Sequence, residues 1–169
     1  MILLSNEMLS VLSEQAGHSL RRRKHFNIHS SYQDGCQRFF NAIQINSYIH
    51  PHRHSAAGNR ELLVAIRGRF SLITFNDHGD FIQSVQFGTE QYGDELCPNV
   101  GVEIPPNSWH TVLANQNDSI LLEVKEGPFN PDEAKELASW APKEGSELAA
   151  NFLEKCYKYS EIESVLSKR

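Results

Sequence analysis

Two histidines placed two residues apart on an extended segment, with a carboxylate returning on the next one, can close on a single ion. Residues 50–54 read His-Pro-His-Arg-His, and Glu61 follows after six residues that include Gly58-Asn59. In a strand, alternate side chains share a face, so His52 and His54 project together with α-carbons about 6.6 Å apart. The turn then brings Glu61 back on the neighbouring strand, within reach of the same ion. His50 shares that face, but its α-carbon is about 13 Å from that of His54, which makes it a pocket wall or a group behind the ligands. Two neutral imidazoles and a carboxylate suit Zn, Fe, Ni or Mn, whereas Mg and Ca prefer all-oxygen shells.

A second segment supplies a fourth ligand. Pro105-Pro106-Asn107-Ser108-Trp109-His110 reads as a tight turn entering a strand. Asn107 suits a left-handed position in that turn better than any other residue except glycine. His110 then opens a strand returning across the fold. The expected centre is one divalent transition metal on His52, His54, Glu61 and His110.

Other groups are placed only by direction. Glu123 and Lys125 share one face of an apolar strand, opposite Leu122 and Val124. Burying two such charges is expensive, so they either point to solvent or form a pair inside a polar lumen that moves protons. Arg38 and Asn41 lie on opposite faces of their strand, so at most one can contact a substrate. Tyr48 shares the alternation of His52 and can orient a hydroxyl. His18, His25, His29 and His78 read as surface or loop residues. The basic run Arg21-Arg22-Arg23-Lys24 reads as a solvated connector, with an anion-binding rim as its functional alternative.

The elements that must hold these residues are short. Strands are expected at 37–45, 47–54, 61–67, 69–75, 81–87, 100–104, 109–114 and 119–126, with turn chemistry at Gly68, Asn76–Asp80 and Asn115–Asp118. Eight strands with no long helix between them imply an all-β antiparallel barrel or sandwich. Residues 88–99 read as a loop. Residues 5–16 read as a helix capped by Ser5, apolar along Leu9, Leu12 and Ala16, and ended by a left-handed Gly17. After Gly127-Pro128 the chain turns helical from Asn130 and Pro131. A second helix over 146–159 places Leu148, Phe152, Cys156 and Tyr159 on one face, and Ser160 with Glu163 restarts helix through Leu166. The organisation expected is a helix and basic connector (1–24), a barrel (25–130) and a helical extension (131–169).

Composition removes several function classes. A net charge of −5 opposes nucleic-acid binding, which depends on neutralising phosphates. No apolar run approaches the roughly 20 residues that span a bilayer, and MILLSNEML lacks the basic and apolar regions of a signal peptide. Cys36, Cys97 and Cys156 are odd in number and widely spaced, which suits reduced thiols in a cytoplasm.

The His-Arg-His run with Glu61 and Gly68, followed by Gly101 to His110, resembles the paired motifs of the cupin superfamily. More closely, NIH (27–29), QRFFNAIQINSYIHPHRH (37–54), ELLVAIRGRFSLITF (61–75), GVEIPPNSWHTVLA (101–114), LLEVKEGPFNP (121–131) and ASWAP (138–142) resemble the WbuC family of cupin-fold metalloproteins. Asn107 departs from the turn glycine usual in cupins, and the gap from His54 to Glu61 is longer than in many of them. The resemblance implies a cupin barrel or jelly roll with metal on His52, His54, Glu61 and His110, and a link to O-antigen or related surface polysaccharide. Three classes of activity follow: a metal-dependent sugar isomerase or epimerase acting on a sugar phosphate or nucleotide sugar, with Glu123, Lys125 or His50 shuttling a proton; an Fe(II) dioxygenase; or a non-catalytic metal- or carbohydrate-binding module. The partners expected are a small carbohydrate ligand and a second copy of the chain, docked through the helix at 146–159, with no nucleic acid and no membrane.

Overall fold

Alternation of inward and outward side chains builds the molecule, and it runs through both sheets. The computed structural model describes residues 1–54, 60–89, 97–130 and 135–166. In chain order the elements are α1 (Asn6–His18), β1 (Arg23–Asn27), β2 (Cys36–Ile43), β3 (His52–Arg53), β4 (Glu61–Arg67), β5 (Arg69–Phe75), β6 (Phe81–Gly88), β7 (Gly101–Ile104), β8 (Trp109–Ala114), β9 (Ser119–Glu126), β10 (Glu136–Leu137) and α2 (Glu147–Leu166). The strands form two five-stranded sheets in the orders β1-β2-β9-β4-β7 and β10-β3-β8-β5-β6, with every named pair antiparallel. The all-β antiparallel architecture with helices at both ends, expected from the sequence, is the one found.

Three apolar clusters define the layers. Between the sheets lie Ile43, Leu63, Phe70, Leu72, Phe87 and Leu121 with their neighbours. On the outer face of the β1–β7 sheet, Leu9, Leu12 and Ala16 of α1 pack against Phe40, Ala42 and Ile120. On the outer face of the other sheet, Ala149, Leu153 and Cys156 of α2 pack against Ile73, Phe75 and Leu113. Each helix therefore spends its apolar stripe on the barrel, as an amphipathic helix must.

Several local expectations change. Gly17 is not left-handed; α1 runs through it to His18 and is capped at its start by Ser5 Oγ, which accepts from Met8 N at 3.2 Å. The buried stripe of α2 is Ala149, Leu153, Cys156 and Ser160, at steps of four, three and four, while Leu148 is 65% exposed. This helix is continuous from 147 to 166 and does not restart at Ser160. The helix expected from Pro131 falls on residues 131–134, outside the described residues, and the segment after it is β10, not helix. The Gly58-Asn59 turn and most of the 88–99 loop also lie outside the described residues. Within 47–54 only His52 and Arg53 form strand. Pro51 cannot donate to a ladder, and Thr111 Oγ1 holds the approach by donating to Ile49 O at 2.7 Å.

Two turns act as expected. Asn107 is left-handed at φ 62°, which turns the chain into β8 and aims His110 inward. Gly68 has φ 78°, and a Cβ there would collide with Ser119.

Candidate metal centre

The inward faces of β9, β4 and β8 run from polar to apolar. Along β9 the face reads Lys125, Glu123, Leu121; along β4, Glu61, Leu63, Ala65; along β8, His110, Val112, Ala114. The apolar ends meet as the inner core. The polar ends leave a cavity of about 290 Å³, into which His52 and His54 also project.

His52, His54, Glu61 and His110 each offer one ligand atom, and these atoms all lie within 4.8 Å of one another. Strand register makes the meeting: His52 pairs directly with His110, and Glu61 pairs with Lys125. His110 Nδ1 lies 2.8 Å from Ser108 O, a carbonyl that can only accept, so Nδ1 carries the ring proton. In the neutral ring Nε2 is then a lone pair, and it faces Glu61 Oε2 at 3.3 Å. His54 Nε2 faces the same oxygen at 3.2 Å. His52 repeats the pattern, with Nδ1 2.9 Å from His50 O, which leaves Nε2 for the cluster. Carbonyl partners of this kind fix the tautomer and orientation of metal-binding imidazoles. Lone pairs converging on a carboxylate in a buried space repel one another, and a cation between them removes the conflict. The donor set therefore fits a divalent transition metal.

Electrostatics support the same reading. Burial first, and then His110 and Lys135, hold His52 well below its ordinary pKa, so its imidazole is neutral. Burial alone would raise Glu61. The charge of Lys125, 2.9 Å away, instead holds it well below the carboxylate range. Lys125 Nζ donates to Glu61 Oε1 at 2.9 Å, lies 3.9 Å from Glu123 Oε2, and sits 5.1 Å from the centre of the Phe39 ring. Burial works against its ammonium, but Glu61 and Glu123 raise its pKa. Glu123 accepts from Asn41 Nδ2 at 2.6 Å. Burial, followed by the charge of Glu61, pushes Glu123 up to about 7.

The structure thus brings Glu123, Lys125 and Asn41 into the cavity beside the four clustered residues. It does not bring Arg38, Tyr48 or His50 there. Arg38 faces outward, paired with Asp34 at 3.5 Å. Tyr48 packs in the outer core with its hydroxyl donating to Pro142 O at 2.7 Å. His50 turns its Nε2 to Ala138 O at 2.9 Å and touches the cluster only through its backbone carbonyl, which receives His52 Nδ1. The reason is the irregular segment before β3: Ile49 and His52 both face inward, three residues apart, so the two-residue period cannot be extended back to Tyr48 and His50.

Four cavity residues were expected at the surface. Arg21, Arg23, His25 and His29 line the cavity, and Lys135, for which the sequence carried no expectation, joins them. Arg21, Arg23, His25, Asn27 and His29 are five residues at strict alternation, and all five line the cavity. That polar period was the available signal. No apolar alternation accompanies it, because the opposite face is mostly exposed.

Residues 4–87 match the model of a domain of unknown function, DUF6016. No curated protein matches the chain. Similar solved structures include protein SO0799 from Shewanella oneidensis (10% identity, 80% of this chain and 85% of that one, TM-score 0.52). A cupin 2 conserved barrel domain protein from Rhodopseudomonas palustris follows at 14% identity, covering 82% and 77% of the two chains, with a TM-score of 0.49. The WlaRB TDP-quinovose 3,4-ketoisomerase from Campylobacter jejuni is 17% identical over 64% and 72%, with a TM-score of 0.46. At 10% identity the likeness to the Shewanella protein is one of fold alone, and the other two superpose less closely. No helix among the described residues is long and apolar enough to cross a membrane. The chain is thus an antiparallel β-barrel whose cavity holds a three-histidine, one-glutamate cluster able to take a metal ion.

Proposed function

We propose that this protein is a cupin-type metalloprotein similar to the WbuC family. In this reading it holds one divalent transition metal on His52, His54, Glu61 and His110, and acts on a sugar, sugar phosphate or nucleotide sugar of surface-polysaccharide metabolism. The observation that carries the reading is the convergence of imidazole Nε2 atoms on Glu61 Oε2 while Nδ1 of His52 and His110 is committed to backbone carbonyls. The resemblance of the HPHRH, Glu61 and PPNSWH segments to that family supports the substrate class.

A bound divalent ion supplies Lewis-acid polarisation of a carbonyl or diol oxygen. The protein supplies the rest. Glu123 is the group that takes and returns a proton at a substrate carbon or hydroxyl, because it is buried on the cavity wall with Asn41 Nδ2 fixing Oε1. Lys125 holds Glu61 in place and keeps positive charge beside Glu123. The apolar floor of Leu63, Val112 and Leu121 keeps water from the inner end.

Elemental analysis of protein purified without tag or chelator tests the centre. Wild type should carry about one equivalent of Zn, Fe, Ni or Mn, and the His52→Ala/His110→Ala variant none. A wild type that takes up no metal on reconstitution removes the reading. For the reaction, ketose and aldose phosphates and nucleotide sugars incubated in D2O should gain deuterium with wild type. Glu123→Gln should keep its metal and lose that exchange. Oxygen consumption without deuterium exchange would replace isomerisation by a dioxygenase reaction.

A further inference from the structure

The outer part of the cavity carries chemistry that the metal cluster does not use. Arg21, Arg23 and His25 face it from the start of the β1–β7 sheet, and Lys135 lines it from the segment before β10. The whole chain is acidic at −5. Even so, Arg21, Arg23, Lys125 and Lys135 outnumber the three carboxylates that reach them, Glu61, Glu123 and Glu144. Any divalent ion at the cluster adds to that excess.

These cations differ in what they have left to give. Arg23 is buried and committed, with its guanidinium donating to Tyr48 O at 2.9 Å and Glu144 Oε2 at 2.9 Å. Arg21 is 57% exposed in its side chain and uses Nε on Glu144 at 3.0 Å, which leaves its terminal nitrogens as donors. Lys135 forms no ion pair among the described residues. His25 leans on the Phe39 ring at 5.0 Å and offers its ring nitrogens. The groups also repel one another. Desolvation against the cavity wall, then Arg23, Lys125 and Arg21, lower the pKa of both His25, to about 4, and Lys135. An anion placed among them relieves that repulsion. Farther in, His29 Nε2 and Asn41 Oδ1 are buried polar atoms without a hydrogen-bond partner among the described residues. Their residues are 8% and 4% exposed and line the same cavity. Buried polar atoms are rarely left unpaired, and these two lie where hydroxyl groups of a bound ligand can satisfy them.

We propose that the cavity mouth is a phosphoryl-binding subsite with Arg21, Lys135 and His25 as its donors, and that the ligand is a small phosphorylated polyhydroxy compound whose hydroxyls meet His29 and Asn41. A phosphoryl group fits better than a carboxylate because its three oxygens and double negative charge match several separate donors. The inner end of such a ligand rests on the proposed metal function. The phosphoryl subsite does not.

The test reads the mouth directly, by following the His25 imidazole in ¹H–¹⁵N NMR spectra of the full chain. Inorganic phosphate should shift His25 saturably at constant ionic strength, and the shift should persist in the His52→Ala/His110→Ala variant, which lacks the metal ligands. Lys135→Gln and Arg21→Gln should each weaken phosphate by about tenfold, the loss expected for one charge-assisted hydrogen bond. Glucose 6-phosphate should bind more tightly than inorganic phosphate, with glucose and glucuronate weaker than either. Three results would overturn the subsite: a His25 signal that chloride moves equally, phosphate binding lost in the His52→Ala/His110→Ala variant, or glucuronate matching glucose 6-phosphate. Loss of metal in that variant with phosphate binding intact separates this subsite from the metal centre.

Discussion

Lys125 sits between two carboxylates, and its removal exposes what it offsets. Its ammonium is 2.9 Å from Glu61 Oε1 and 3.9 Å from Glu123 Oε2, with the side chains of all three residues mostly buried. Lys125→Met leaves the carboxylates facing each other without a counter-charge. In metal-free protein this should cost about 3 kcal/mol, because stripping one partner from a buried pair leaves an uncompensated charge. Lys125→Met/Glu123→Gln should recover part of that loss, and urea denaturation of the four-membered cycle measures the coupling. Two additive single losses would show that the three groups do not act together. At this scale the clustering of His52, His54, Glu61 and His110 was legible, since His-x-His, Glu61 and the Asn107 turn are local signals tied to chain geometry. The directions of Glu123 and Lys125 were not, because a charged pair at i and i+2 looks the same whether it faces water or a polar lumen. Tyr48 and His50 misled because the two-residue period stops at Pro51.

The β8–β9 turn shows how an element is docked. Asp118, left-handed at φ 61°, accepts Ser13 Oγ of α1 at 2.7 Å and Gln44 Nε2 at 3.2 Å, and its own N–H donates to Gln44 Oε1 at 2.9 Å. Those side-chain hydrogen bonds hold the carboxyl below its usual value of 3.8. A depressed pKa contributes stability that is present above the ordinary value and is lost as pH falls through the folded one. Ser13→Ala should therefore lower stability at pH 7 by about 1 kcal/mol, the net worth of one such bond. Its gap to wild type should narrow below pH 3.8, and thermal melts across that range would read it. A gap constant with pH would mean that Ser13 acts through packing alone. Gly68→Ala should cost more, about 2 kcal/mol, since positive φ and a clash with Ser119 combine. α1 was legible from its cap and apolar stripe. β1 was not, because Arg23, His25 and Asn27 line a polar cavity and every residue but Arg23 is exposed, so no apolar alternation marks it. In α2 Cys156 packs as expected, with Phe152 and Tyr159 half-buried against the same cluster, but the small Ala149 takes the place that hydrophobicity alone gives to Leu148.

Across the whole molecule, stability and chemistry occupy different layers. The alternation that predicts two faces per strand was legible, and it sufficed for the antiparallel class. The strand order was not, because it depends on pairings between residues as distant as Gln37 and Lys125. That order places one apolar cluster outside each sheet and one between them, and only the inner cluster abuts the cavity. Leu153, 6% exposed, belongs to the outer layer under α2, whereas Leu63, 2% exposed, packs in the inner core and also lines the cavity. Both truncations to alanine should destabilise the fold by about 2–5 kcal/mol, the usual cost of a buried leucine. Their effects on the site should separate. Leu153→Ala should bind metal as wild type does at temperatures where it remains folded. Leu63→Ala should also lose metal affinity, because the residue lies two positions from Glu61 on the same inward face and its removal frees that wall to shift. Competition titration with a zinc indicator, at matched folded fraction, measures the difference. Equal losses from both variants would mean that the outer helix layer sets the ligand geometry, and that the barrel wall alone does not.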